Sequence, residues 1–365
     1  MARAPAPPIE QEARQKRAAR TGKVQTVTGP VDPVVLGPTL MHEHLLIDAS
    51  HLEPMPDDEP ARRLCCAPMT PEIASRIKFA GQPNLDNARL DDIETAVAEL
   101  APFREAGGGT VVEVTNIGLH RNPLGLRRIA ERSGLHIVMG SSYYVDAAHP
   151  DDMAERSEDA ICAEIVADVL DGVDGTGICS GIIGEAGCSW PLTAAEAKVL
   201  RASARAQRLT GAPLSVHPGR SEDAPMQIVE ILADAGADLT RTVICHLERT
   251  IFSRPAMKRL AGTGCILEFD LFGHENSYYW PAPHIAMPND AQRLDWLAWL
   301  IAEGHRDQIV VSHDNDNKIF LARHGGPGYA NILANIVPRM RGRGFAEEDI
   351  DAMLINNPRR VLTFV

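Results

Sequence analysis

Six side chains of the metal-ligating kind stand at or near the ends of short apolar runs. They are His42 and His44 in PTLMHEH, Glu185 in GIIGEAG, His217 in PLSVHPG, His246 in TVICHLE and Asp314 in QIVVSHD. His42 and His44 are two residues apart, so on an extended chain both imidazoles face one side and Glu43 faces the other. Four imidazoles and two carboxylates suit a pair of divalent ions, whereas a single ion would be over-supplied. These donors suit zinc, iron, manganese, cobalt or nickel, and the lack of a thiolate disfavours a structural zinc site. Two ions about 3.5–4 Å apart need a shared ligand with two donor oxygens. Glu185 fits that role, and no lysine lies in its run to act as a carboxylated bridge; Lys198 is the nearest. Taken singly, His217 or His246 reads as a hydrogen-bonded interior histidine, and Asp314 as a loop cap. Glu185 has no such bland reading, because a carboxylate inside a buried strand must be paired or coordinated.

The elements that must position these residues alternate along the chain. Eight short Val/Ile/Leu-rich runs read as strands buried on both faces, at 38–44, 110–116, 136–142, 181–187, 213–219, 242–248, 265–271 and 308–314. Helical patterns fall between them, at 90–107, 123–134, 151–172, 191–211, 225–237 and 290–304. The clearest is 191–211, where Thr193 and Glu196 form a capping-box pattern and Gly211 stops the helix. Strand alternating with helix eight times predicts a closed (β/α)8 TIM barrel of α/β class. An open doubly wound sheet is the alternative, but no G-x-G-x-x-G follows the first strand. In a barrel the strand ends converge on one mouth, which brings the six ligands together. Residues 49–86 and 315–328 read as long loops at that mouth, and a last helix is expected over about 346–363.

The formal net charge of −13 argues against a nucleic-acid partner. No run of eighteen apolar residues exists, so no membrane-spanning helix is expected. Residues 1–22 read as a disordered N-terminal tail and 23–365 as one domain. Seven scattered cysteines, odd in number and without C-x-x-C, argue against a disulfide framework or a zinc knuckle; several read as small buried apolar side chains, in a reducing, cytoplasmic setting.

From about Lys23 to Phe364 the sequence resembles the phosphotriesterase branch of the amidohydrolase superfamily, and within it the phosphotriesterase-related proteins. The matching strings are GKVQTVTGPVDPVVLGPTLMHEH, GIIGEAGCSWPLTAAE, LSVHPGRSEDAP, CHLERTIF, EFDLFG and GGPGYANIL. The resemblance implies that His42, His44 and Asp314 hold the more buried ion, His217 and His246 the more exposed one, and that Glu185 bridges them. Phosphotriesterases proper carry a carboxylated lysine at the bridge, so the glutamate points away from phosphotriester hydrolysis as the native activity. The implied reaction is attack by a hydroxide shared between two divalent ions, zinc in the first place, on the carbonyl of a small anionic amide of the N-acetyltaurine type. Asp314 is the expected proton shuttle. Sugar lactones, carboxyl esters and phosphotriesters are the alternative substrates, and a non-catalytic scaffold barrel is the remote one. For a substrate anion, Arg220 and Arg249 are the first candidates and Arg121 and Tyr144 the next; Tyr279 and Trp280 read equally as an apolar wall or as interface residues. A homodimer is implied by the relatives.

Overall fold

The computed structural model describes residues 8–276, 278–279 and 281–365. All eight expected strands form. They are β1 (Thr39–Glu43), β2 (Thr110–Glu113), β3 (His136–Met139), β4 (Ile183–Gly187), β5 (Leu214–His217), β6 (Thr242–Ile244), β7 (Ile266–Phe269) and β8 (Ile309–Val311). Neighbours pair in parallel from β1 to β3 and from β4 to β8. Two seams close the (β/α)8 TIM barrel. The Gly181 N–H donates to the Met139 carbonyl at 2.9 Å, and the Asp314 N–H donates to the His42 carbonyl at 3.1 Å.

The period-2 rule of a strand sorts the side chains. Val111, Ile137, Leu214, Val216, Leu267, Phe269, Ile309 and Val311 pack outward beneath the helices. Val112, Val138, Val243, Ile266 and Val310 fill the barrel interior, as branched residues do in this architecture. Strand β1 departs from strict alternation, with a register slip between Leu40 and Glu43.

The Thr193–Glu196 capping box and the left-handed Gly211 stop bound helix Ala194–Thr210. Three segments differ from the sequence reading. Part of the expected tail is a helix, Pro8–Ala18, which packs on helices Glu158–Leu170 and Ala194–Thr210. The chain just after it is anchored by Arg20, which donates to the carbonyls of Val169 and Leu170. Within the expected loop at 49–86 lie two short helices, Glu59–Cys65 and Pro71–Ala80. Each starts where proline is tolerated, and Asp58 caps the first by accepting from the Ala61 N–H at 3.0 Å. A further helical stretch runs over 332–342 before the expected last helix, which spans 347–362 with a π-turn at Ala352–Asn356. Among the described residues no helix is long and apolar enough to cross a membrane, and all seven cysteines are free.

Candidate metal centre

The six expected ligands meet at the C-terminal mouth. His42, His44 and Glu185 form one buried group of ligand atoms, and Glu185, His217 and His246 form a second, so Glu185 belongs to both. His42 Nε2 is 3.7 Å from Glu185 Oε2, and His44 Nε2 is 3.5 Å from Oε1. On the other side His217 Nδ1 is 2.9 Å and His246 Nε2 is 3.5 Å from Oε2. Asp314 Oδ1 lies 3.6 Å from His42 Nε2 and 3.3 Å from His44 Nε2. A carboxylate between two pairs of imidazoles is the donor arrangement of a two-ion centre.

Local backbone geometry aims these groups. Gly184, at φ 120°, sits where a Cβ would come within 2.2 Å of the Ser215 carbonyl, so the close approach that sets Glu185 between β3 and β5 requires glycine. His246 and Asp314 both adopt left-handed backbone, at φ 53° and 54°. Such strain in non-glycine residues persists where surroundings enforce it. For His246 the restraint is Asp270, whose two oxygens each accept from its N–H at 3.1 Å.

For three of the four histidines the ring nitrogen that faces away from the centre is also engaged. His44 Nδ1 lies 2.8 Å from the Thr115 hydroxyl, which donates to Glu113 Oε1 at 2.6 Å. His246 Nδ1 is 2.9 Å from Asp270 Oδ1. His217 Nε2 is 3.0 Å from the buried Arg249 guanidinium. Glu43 turns away from the centre and holds the end of β8. Its Oε1 accepts from the Ser312 hydroxyl at 2.8 Å, the His313 N–H at 3.0 Å and His313 Nδ1 at 2.7 Å, while Oε2 accepts from the Asn315 N–H at 3.1 Å.

The electrostatics favour cations at the centre. Burial opposes the charged form of His44, yet hydrogen bonds with Asp314 and Glu185 raise its pKa to about 10. His42 is raised as well, against burial, by Cys245 and Glu185. Burial works against ionisation of Glu185, but His42 and His217 hold its carboxyl well below the usual range. His217 differs: burial, Arg249 and His246 push it well below the ordinary value, which leaves a neutral imidazole ready to ligate. His42 Nε2 is fully buried and has no hydrogen-bond partner. An orphaned imidazole nitrogen among carboxylates is what a ligand atom looks like without its ion, so the residues present fit two divalent ions.

Beside the centre a cavity of about 890 Å³ is lined by Val145, Trp190, Arg220, Phe252 and Ile285, among others. Of the four residues expected to meet a substrate, the structure brings three to this region, Arg220, Tyr144 and Arg249. Arg220 lines the cavity, and the Tyr144 ring stands 5.1 Å from that of His217. Arg121 is engaged elsewhere, and Arg249 is buried behind a ligand histidine. Arg121 pairs with the buried Asp168 and donates to Asp174 at 2.9 Å, tying the loop after β2 to the helical layer. Arg249 donates to the Pro218 carbonyl at 3.2 Å and backs His217. Tyr279 receives a bond from Arg220, while Trp280 lies outside the described residues.

Sequence reasoning missed Glu113, Glu268 and Asp270. The signal was there: each is a carboxylate inside an apolar run, TVVEVTN or CILEFDL, as Glu185 is. Asn116 was missed too. It donates to the Glu185 carbonyl, and one amide after a strand carries no comparable signal.

Comparison with known proteins gives the family and the fold. The model of the Phosphotriesterase family matches residues 22–362. N-acetyltaurine hydrolase of Homo sapiens is 43% identical over 347 residues, covering 94% of this chain and 99% of that protein. The Salmo salar N-acetyltaurine hydrolase is 43% identical over 350 residues, with 95% and 99% covered. A resiniferatoxin-binding protein from Rhodobacter sphaeroides has a similar structure, with a TM-score of 0.90, 38% identity and 94% and 95% covered. The phosphotriesterase homology protein of Escherichia coli, solved with phosphate in its active site, gives a TM-score of 0.74 at 28% identity, with 91% and 100% covered.

Proposed function

The chain belongs to the phosphotriesterase family and is a hydrolase on a TIM barrel, and from that premise we propose that it hydrolyses a small anionic N-acyl amide such as N-acetyltaurine. The observation that carries this reading is the shared Glu185 between two histidine pairs, opening beside a cavity that presents a cation, Arg220. The relatives named for N-acetyltaurine hydrolysis cover nearly the whole chain at about two-fifths identity, which supports the choice of substrate.

His42, His44, Glu185 and Asp314 would hold one divalent ion, and His217, His246 and Glu185 the other; zinc is the ion we favour. Bound there, the ions supply a water ionised near neutrality and a Lewis acid for the carbonyl oxygen. The chain's own groups do the rest. Arg220 binds the substrate anion and orients the acyl group toward the centre. Asp314 accepts a proton from the attacking water and delivers it to the departing nitrogen, which leaves poorly as an anion. Tyr144, packed on His217, walls the site on the β3 side. Water is consumed, the C–N bond breaks, and a carboxylate and an amine leave. We further propose a cytoplasmic homodimer.

The test is a substrate panel on protein purified without chelator: N-acetyltaurine, N-acetyl amino acids, sugar lactones and paraoxon-like triesters. The reading expects the highest kcat/KM for N-acetyltaurine or a close N-acyl analogue. A lactone or triester preferred by orders of magnitude would overturn it.

A further inference from the structure

The interior of a TIM barrel is a packed apolar core, yet β7 sends a carboxylate into it. Glu268 and Asp270 are two residues apart, so both face inward, with Glu268 one step deeper. Phe269 between them packs outward. Asp270 is committed to His246, through that residue's N–H and its Nδ1. Glu268 is not committed. It is fully buried, and neither of its oxygens has a hydrogen-bond partner. A buried carboxylate in that position is costly, and its persistence calls for a compensating role.

One other orphan lies beside it. His42 Nδ1 has no hydrogen-bond partner, and it stands 3.5 Å from Glu268 Oε2 and 3.5 Å from Asp270 Oδ2. The opposite nitrogen, Nε2, faces Glu185 and Asp314. If Nε2 ligates an ion, the ring proton must sit on Nδ1, which then points at Glu268. A separation of 3.5 Å is longer than a formed hydrogen bond, so the pair is poised to tighten.

We propose that Glu268 is a positioning residue for His42: its carboxylate accepts a hydrogen bond from Nδ1–H, which stays on the ring, and keeps Nε2 turned toward Glu185 and Asp314. Such partners fix the tautomer of a ligating imidazole and raise its basicity. Strand β7 thereby serves both ion positions, Glu268 behind His42 and Asp270 behind His246. The main alternative is a third cation held by His42, Cys245, Glu268 and Asp270, whose ligand atoms also lie within 4.8 Å of one another. It is disfavoured because a protonated Nδ1 cannot ligate. The proposal rests on the two-ion reading of the centre.

The test titrates Co2+ and Zn2+ into metal-free wild type, Glu268→Leu and Glu268→Gln. It reads ions per chain, dissociation constants by competition with a chromogenic chelator, and the visible bands of bound Co2+. Leucine removes the acceptor at similar volume, while glutamine keeps an acceptor oxygen. The expected result is two ions in wild type. In Glu268→Leu one affinity falls about 10- to 100-fold with altered Co2+ bands, and the other is unchanged. Glu268→Gln should retain most of the lost affinity, and the metal-free leucine variant should melt no lower than wild type. Wild-type affinities in Glu268→Leu would overturn the proposal. So would parallel loss at both positions with a lowered metal-free Tm, which marks a scaffold role. A third ion in wild type that Glu268→Leu loses would overturn it in favour of the cation site. Failure of wild type to take up two ions would overturn the underlying reading and this role with it.

Discussion

Arg220, in the cavity lining, and Tyr279 are joined in two ways. The Arg220 Nε–H donates to the Tyr279 hydroxyl at 2.8 Å, and its guanidinium carbon lies 5.4 Å from the centre of the same ring. The loop after β5 is thus tied to the loop after β7, and one cation is held at a fixed place in the cavity lining. Arg220→Gln should raise KM for an anionic amide about 10- to 100-fold, the worth of one charge-assisted hydrogen bond. An uncharged N-acyl analogue should show little change. Equal losses for both substrates in steady-state kinetics would refute an anion-binding role.

Arg121 should behave in the opposite way. Its partner Asp168 is buried and also accepts from the Ser141 hydroxyl at 2.7 Å. Arg121→Met leaves a buried carboxylate without its cation, at a cost of about 3–5 kcal/mol. We expect a clear drop in Tm with KM intact for the protein that remains folded. Thermal melts beside steady-state kinetics separate the two arginines.

Asp314→Asn keeps the shape and one donor oxygen of the side chain but loses the proton acceptor. The variant should retain its ions by metal analysis and lose about 10²- to 10⁴-fold in kcat. Near-normal turnover would remove Asp314 as the proton carrier.

The histidine protons make ion uptake pH-dependent. In the metal-free chain His44 is raised from 6.5 to about 10 by Asp314 and Glu185, which override burial. An incoming ion must displace that proton, so affinity should rise with pH between about 6.5 and 10, with protons released to a weak buffer. Stability of the metal-free chain follows the same group with the opposite trend. The contribution of a raised histidine is complete below the unfolded pKa and is lost as pH rises through the folded value. The metal-free Tm should therefore fall from neutral to alkaline pH while the loaded protein changes less. Calorimetric ion binding at several pH values checks both; pH-independent affinity would contradict the assignment.

Glu43 offers a test of how the centre is held. Replacing it with alanine strands donors from Ser312, His313 and Asn315 in a buried position. The expected cost is about 3–5 kcal/mol, as for breaking other buried charged networks. Glu43→Gln should lie between, since its amide oxygen replaces one of two acceptors. Denaturant unfolding of the three proteins gives the order directly.

The residues that gather at the centre could be read from the sequence because polar residues at strand ends break an apolar pattern. His42, His44, Glu185, His217, His246 and Asp314 all carried that mark. The eight strands were readable for the same reason, and Thr193 and Gly211 wrote the ends of their helix into local capping chemistry. What escaped depends on tertiary partners. Arg121 and Arg220 both follow strands and look alike in a string; only the presence of Asp168 beside one and the cavity beside the other separates them. The helices within 49–86 are only seven and ten residues long, too short to show many repeats of an apolar period, and their local marks are the cap at Asp58 and the proline that opens the second, Pro71.

The bonds from His313 and Asn315 to Glu43 span 270 and 272 positions of the chain. On a growing polypeptide the first two imidazoles of the centre emerge early, yet the carboxylate opposite them comes only with the final strand. Joining segments so far apart is among the slowest and latest events of folding. Capture of the two proposed ions would therefore mark closure of the barrel at its last strand. An ion-sensitive spectroscopic signal during refolding should rise with the last kinetic phase, after the helices have formed.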